Sequence, residues 1–182
     1  SLPVMEGKCV LYKEFADIDA IPLALKTQDT EEIIQTIKLL TPMFGGIHLE
    51  DIAAPRCFEI EERLSQELDI PVFHDDQHGT AVVILAGLIN ALKVVEKERG
   101  QVQVVINGVG AAGTSTAKLL LAAGFTNLIL VDSKGIIVEG RPDLNEPKQE
   151  LARVTNRTKK TGGLSEAMRG ADIVIGVSKP GV

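Results

Sequence analysis

The stretch from Val102 to Gly113 limits what this chain can fold into more than any other. A β-branched run, Val102-Gln103-Val104-Val105-Ile106, leads through Asn107 into Gly108-Val109-Gly110-Ala111-Ala112-Gly113. A near-continuous apolar run is the pattern of a strand buried on both faces, as in a parallel sheet. The residues from Ala111 to Ala123 read as a helix, and Gly124 suits its C-terminal stop. A second apolar run, Asn127 to Val131, ends at Asp132, 24 positions after Gly108. Strand, glycine loop, helix and strand in this order predict a Rossmann-like, doubly wound parallel α/β sheet with a dinucleotide at its glycine loop. Gly108 permits the tight turn, Gly110 lets backbone N–H groups approach a pyrophosphate, and Gly113 lets the helix pack closely. Ala111 and Ala112 complete the loop at the helix N-terminus, which faces the phosphates. Asp132 is placed to accept from the adenosine ribose hydroxyls and to repel a 2′-phosphate, which favours NAD. Ser133 and Lys134 are both able to hold a phosphate, so NADP stays open.

The rest of this half departs from simple alternation. Ile136 to Val138 reads as a short extension strand, Pro147 to Asn156 and Leu164 to Met168 as helices, and Ala171 to Val177 as a third buried strand. Upstream, Gly79 to Val95 is apolar almost all round, which predicts a helix buried between layers. Lys97 to Gln101 is a charged turn.

The N-terminal half repeats the parallel theme on a smaller scale. Asp29 to Leu40 carries Ile33, Ile34, Ile37 and Leu40 at helical spacing. Phe44 to Leu49 and Ile70 to Phe73 read as strands. Between them lies a helix opened by Pro55, with Phe58, Ile60, Leu64 and Leu68 as its apolar positions. Such a pair is expected to be parallel. Each strand is followed by two acids, Glu50-Asp51 and Asp75-Asp76. Four carboxylates at strand C-terminal ends suit a hard divalent cation, Mg²⁺ or Mn²⁺. His74 and His78 have a zinc-like spacing, but Asp75, Asp76 and Gly79 suit a turn better than the helix such a pair needs. His48 reads as an ordinary strand residue and Tyr12 as core. The expected division is a metal-bearing part over residues 1–76 and a cofactor domain over residues 77–182.

A net charge of −6 without aromatic-basic clusters argues against a nucleic-acid surface. The one basic-leaning stretch, Lys148 to Lys160, reads as a solvated helix face. Cys9 and Cys57 belong to no Cys-x-x-Cys pattern and suit reduced thiols in the cytoplasm. The longest apolar run, Ala81 to Ile89, is short for a bilayer, and the first residues have no signal core. A doubly wound sheet ordinarily continues beyond a strand such as Ala171 to Val177. The sequence is therefore expected to be an interior piece of a longer protein.

Three segments carry a resemblance that covers essentially the whole chain. They are Leu2-Pro3-Val4-Met5-Glu6-Gly7-Lys8, Phe44-Gly45-Gly46-Ile47-His48-Leu49-Glu50-Asp51-Ile52 and Phe73-His74-Asp75-Asp76-Gln77-His78-Gly79-Thr80-Ala81. With Gly108 to Gly113 they resemble a malic enzyme of the shorter microbial type. The resemblance implies oxidative decarboxylation of L-malate to pyruvate and CO₂, with NAD(P)⁺ reduced and Mn²⁺ or Mg²⁺ required. It implies Lys8 as general base, Asp75 as the acid supporting base or metal, and Glu50, Asp51 and Asp76 as metal ligands. Thr80, the glycine loop and Ser178 would contact the cofactor. It also implies a homodimer or larger homo-oligomer. The family's general-acid tyrosine and an Asn-Pro segment are not among these residues, so part of the active site is expected to lie outside them. A non-catalytic dinucleotide-binding module, a dehydrogenase that stops at the keto acid, and malolactic or acyltransferase-fused relatives are the alternatives.

Overall fold

The computed structural model describes residues 2–179. The chain forms two compact units, Ser1–Asp75 and Asp76–Val182.

The first unit begins with α1 (Leu2–Ala16), where no element was expected. Pro3 fits a first helical turn. None of the helix's residues is buried, so the apolar periodicity that would have announced it is weak. In α2 (Thr30–Leu40) the Asp29 carboxylate accepts from the Glu32 N–H at 2.9 Å, satisfying one orphan donor of the first turn. A 3₁₀ turn follows at Thr41–Met43. It delays β1 (Ile47–Leu49), which is shorter than the expected Phe44 to Leu49. Next come α3 (Arg56–Glu67) and β2 (Val72–His74). The strands pair in parallel, Ile47 with Val72 and Leu49 with His74. Ile33, Ile34, Leu49, Ile60 and Leu64 form the core. Each fully buried Ile or Leu contributes about 1.5–3 kcal/mol, so this core rests on a handful of side chains. Cys57 is buried and Cys9 half-buried, and no disulfide joins them.

The second unit is built on a four-stranded sheet in the order β5-β4-β3-β6. The strands are β3 (Gln103–Asn107), β4 (Asn127–Asp132), β5 (Gly135–Ile136) and β6 (Ile173–Gly176). β3 pairs in parallel with β4 and β6, while β5 runs antiparallel along β4. Alternate residues supply two cores. Val104, Ile106, Leu128 and Leu130 face one layer with Leu120, Phe125 and Leu151. Val105, Ile129 and Val131 face the other with Ile136 and Ala167. The helices are α4 (Asp75–Val94), α5 (Ala111–Ala122), α6 (Glu146–Val154) and α7 (Leu164–Met168). This is the doubly wound pattern.

Helix α4 differs from expectation in two ways. It starts at Asp75, so Asp75, Asp76 and Gly79 are helical rather than a turn. It is also not buried all round. Only Gln77, Ala81 and Leu92 are buried, while Val82 and Val83 are exposed. Its length and composition would suffice to cross a bilayer. However, Ile84, Leu85, Leu88 and Leu92 join the core beside the sheet, as in a globular helix.

Candidate active site

In the first unit the chemistry gathers where α1 passes the ends of the two strands. Lys8 and Tyr12 are one helical turn apart and therefore share a face of α1. His48 and Glu50 are two apart at the end of β1 and share a side of that segment. The Lys8 ammonium donates to Asp75 and lies 3.2 Å from Glu50 Oε2. His48 Nε2 lies 2.7 Å from the same oxygen, and Tyr12 Oη lies 2.6 Å from His48 Nδ1. For a neutral imidazole, Nε2–H donates to the carboxylate and Tyr12 donates to Nδ1. The ligand atoms of His48, Glu50 and Asp75 all lie within 4.8 Å of one another. Glu50 is only 6% exposed, so a buried carboxylate is held by two partners.

Burial pushes the Lys8 ammonium pKa down, but hydrogen bonds and charge from Asp75 and Glu50 outweigh it, and the net shift is upward. Burial raises the Tyr12 pKa, and the Asp75 charge adds to the rise. Asp51 adopts φ 58°, a left-handed conformation that aspartate tolerates better than most residues. His74 closes β2, and its backbone N–H donates to Glu61 at 3.1 Å. It is thus a strand residue, and the zinc-like helix pair with His78 does not form.

In the second unit, steric fit defines the glycine loop. Gly108 has φ +106°, and a Cβ there would lie 2.7 Å from the Val177 carbonyl and 2.8 Å from the Ser178 nitrogen. A Cβ on Gly113 would lie 1.8 Å from the Gly108 oxygen. Gly110, the N-cap of α5, has open space in front of it. Backbone packing thus leaves no room for a side chain at Gly108 or Gly113, while Gly110 faces open space at a helix N-terminus and the Ser178 backbone lies beside Gly108. Asp76 and Thr80 lie in the first turns of α4. Buried Gln77 accepts from Ser115 of α5 at 3.3 Å.

Asp132 ends β4 as expected but is already engaged. Its Oδ1 accepts from the Lys134 N–H at 3.0 Å. Its Oδ2 accepts from Arg141 Nη2 at 2.6 Å and Lys148 Nζ at 2.7 Å. Burial alone would raise this carboxyl pKa, yet the donors of Arg141, Lys148 and Lys134 hold it down at about 2. Lys148 is therefore an ion-pair partner and not part of a solvated face.

Sequence reasoning missed His48, Tyr12, Arg141 and Lys148. Tyr12 is half-buried at the polar cluster rather than core, and His48 links it to Glu50. Their spacings, Lys8 to Tyr12 and His48 to Glu50, already held the signal. For Arg141, nine residues beyond Asp132 in an irregular segment, no periodicity was available.

Fold and loop together define a dinucleotide-type α/β domain preceded by a smaller α/β unit that bears a lysine–carboxylate cluster. The sequence profile for the NAD-binding domain of malic enzymes matches residues 77–181, and that for the malic enzyme N-terminal domain matches residues 26–65. The chain belongs to the malic enzyme family. It is 59% identical over its full length to an NAD-dependent malic enzyme of Geobacillus stearothermophilus, covering 38% of that protein. It is 56% identical over its full length to a bifunctional malic/malolactic enzyme of Bacillus subtilis (strain 168), covering 44% of it. The crystal structure of an NAD-dependent malic enzyme from Thermotoga maritima superposes with a TM-score of 0.95 at 55% identity, over 98% of this chain and 48% of that one. The chain thus spans less than half the length of each of these relatives.

Proposed function

We propose that the protein oxidatively decarboxylates L-malate to pyruvate and CO₂, reducing NAD⁺ or NADP⁺, with a divalent cation required. The observation that carries this reading is the Lys8–Asp75–Glu50 cluster in a chain of this family. A dinucleotide-binding module alone needs no such group. Residues 1–76 are the metal and substrate part, and residues 77–182 bind the cofactor. Glu50, Asp51 and Asp76 are the metal ligands. Their oxygen-only donor set fits Mg²⁺ or Mn²⁺. A bound cation supplies Lewis-acid polarisation of the substrate's oxygens.

With a nicotinamide dinucleotide bound to supply the hydride acceptor, Lys8 would accept the proton of the substrate's C2 hydroxyl. Protonated Lys8 is unreactive, and Asp75 and Glu50 favour that form. Its role as base therefore requires that those carboxylate charges be satisfied elsewhere. Asp75 orients the lysine. The Gly108–Gly113 loop, with Ala111 and Ala112 at the start of α5, holds the pyrophosphate. Thr80 and Ser178 complete the cofactor contacts.

The test is malate-driven NAD⁺ reduction by the full-length protein with Mn²⁺, followed by pyruvate assay. Stoichiometric NADH and pyruvate are expected. In the Asp76→Asn variant, Mn²⁺-dependent turnover is lost while NADH still binds, and full activity in that variant removes Asp76 from the metal site. The bifunctional Bacillus relative motivates a second reading. Lactate formed without net NADH would mark a malolactic reaction. The protein is further proposed to act in the cytoplasm as a homo-oligomer. Exposed Phe15, Leu39, Met43 and Val83 provide apolar surface for such contacts, and light scattering on the full-length protein measures the assembly.

A further inference from the structure

Resting on the metal reading above, the surroundings of His48 show what keeps Glu50 in place. The Glu50 side chain is 6% exposed and that of His48 16%. Both described contacts of Glu50 fall on one oxygen, Oε2, which lies 3.2 Å from Lys8 Nζ and 2.7 Å from His48 Nε2. Oε1 is left clear of them. The other ring nitrogen of His48, Nδ1, lies 2.6 Å from Tyr12 Oη. A neutral imidazole donates from one nitrogen and accepts at the other. The Tyr12 hydroxyl, donating to Nδ1, therefore fixes the tautomer whose proton sits on Nε2 and faces the carboxylate.

The ring is held by its neighbours as well. Tyr12 meets it edge-on, with centroids 5.5 Å apart and planes at 86°. Phe73, its register partner on β2, lies 5.8 Å away at 50°. Both separations fall in the attractive range for aromatic pairs. His48 is thus fixed at both nitrogens and beside two rings, more than an ordinary strand residue needs. Helix α1 buries none of its own residues, so polar contacts tie it to the strands. It reaches Glu50 twice, directly through Lys8 and one turn later through Tyr12 and His48. Outer partners that orient a ligand side chain in this way set metal affinity nearly as strongly as the ligands do.

We infer that His48 and Tyr12 are positioning residues for the proposed metal site: His48 holds Glu50 by Oε2 and leaves Oε1 for the cation, and Tyr12 acts through His48 by fixing its tautomer and ring. Titration of the full-length protein with Mn²⁺ alone, followed by electron paramagnetic resonance, tests this, with NADH binding measured beside it. His48→Phe keeps a ring and removes both nitrogens. It should weaken Mn²⁺ binding about 10–100-fold and leave NADH within about twofold. A glutamine amide reaches the place of Nε2, so His48→Gln should recover most of that loss, which a damaged fold cannot do. Tyr12→Phe removes one neutral hydrogen bond and should weaken Mn²⁺ about twofold to tenfold. Added to His48→Phe it should have no further effect, because its route to Glu50 is already cut. Unchanged Mn²⁺ affinity in His48→Phe overturns the inference and leaves the metal reading intact. Parallel loss of Mn²⁺ and NADH, or a His48→Gln variant no better than His48→Phe, also overturns it. If the wild-type protein binds no Mn²⁺, the metal reading itself fails and this inference falls with it.

Discussion

The two units build their sites from opposite materials. In the second unit the cradle is made of backbone, and what matters is the space that glycines leave. In the first unit it is made of charged and polar side chains around a core of five buried residues. Their cores differ accordingly. The four-stranded sheet is covered on both faces, whereas α1, which supplies Lys8 and Tyr12, buries none of its own residues. A site of backbone tolerates little substitution but needs no charge. A site of side chains depends on charges whose partners hold each other in place. Substitutions in one should therefore act on stability and binding together, and in the other on turnover alone.

Gly113→Ala offers the sharpest challenge to this contrast. A methyl 1.8 Å from the Gly108 carbonyl has no room. Overpacking of this kind costs about 1–3 kcal/mol and sometimes more. Calorimetry should show a clear loss of stability, and NADH binding should vanish with it. An Ala variant that unfolds and binds normally would end the steric account of the loop. In the other unit, Lys8→Met should lower turnover by about 10²–10⁴-fold, the usual range for a lost general base, with NADH affinity unchanged. A fall in both would mean that the two sites do not differ as described.

Asp132 lies between the extremes, a charge embedded in the backbone-built unit. Its folded pKa of about 2 lies below the ordinary 3.8, and one pKa unit corresponds to about 1.4 kcal/mol, so its ionisation contributes about 2 kcal/mol. That contribution is complete above pH 3.8 and disappears as pH falls through 2. Asp132→Asn should lower stability by about this amount at pH 7 and show less acid dependence below pH 4, measured by urea unfolding across pH. The smallest effect is expected at Lys38, whose ion pair with Glu67 is exposed. Exposed pairs contribute little, and Lys38→Ala should leave the thermal midpoint within measurement error.

Where burial and spacing act together, the sequence was legible. Val104 to Ile106, Leu128 to Val131 and the helix from Thr30 to Leu40 announced themselves through their apolar runs and helical spacing. Helix α1 did not, because it buries nothing and so leaves no apolar stripe. Helix α4 was read as fully buried because composition reports affinity for an interior, not which face finds one. At the sites, individual residue types were readable but partnerships were not. Glu50 and Lys8 drew attention, yet the Tyr12–His48 link between helix and strand required three-dimensional proximity. Likewise Asp132 was recognisable by its place after β4, while Arg141 and Lys148 reach it from a loop and another helix.

The short strand β5 has a further effect. An exposed strand edge invites pairing with foreign chains, and the proteins that avoid this shorten, charge or cover their edges. β5 lies antiparallel along β4 for only two residues, and its Ile136 N–H donates to Gly162. The Ile136 carbonyl accepts from Arg141, so both backbone groups of Ile136 are paired and not left open to an invading strand. The arginine that holds Asp132 thereby also satisfies a backbone acceptor on this edge of the sheet.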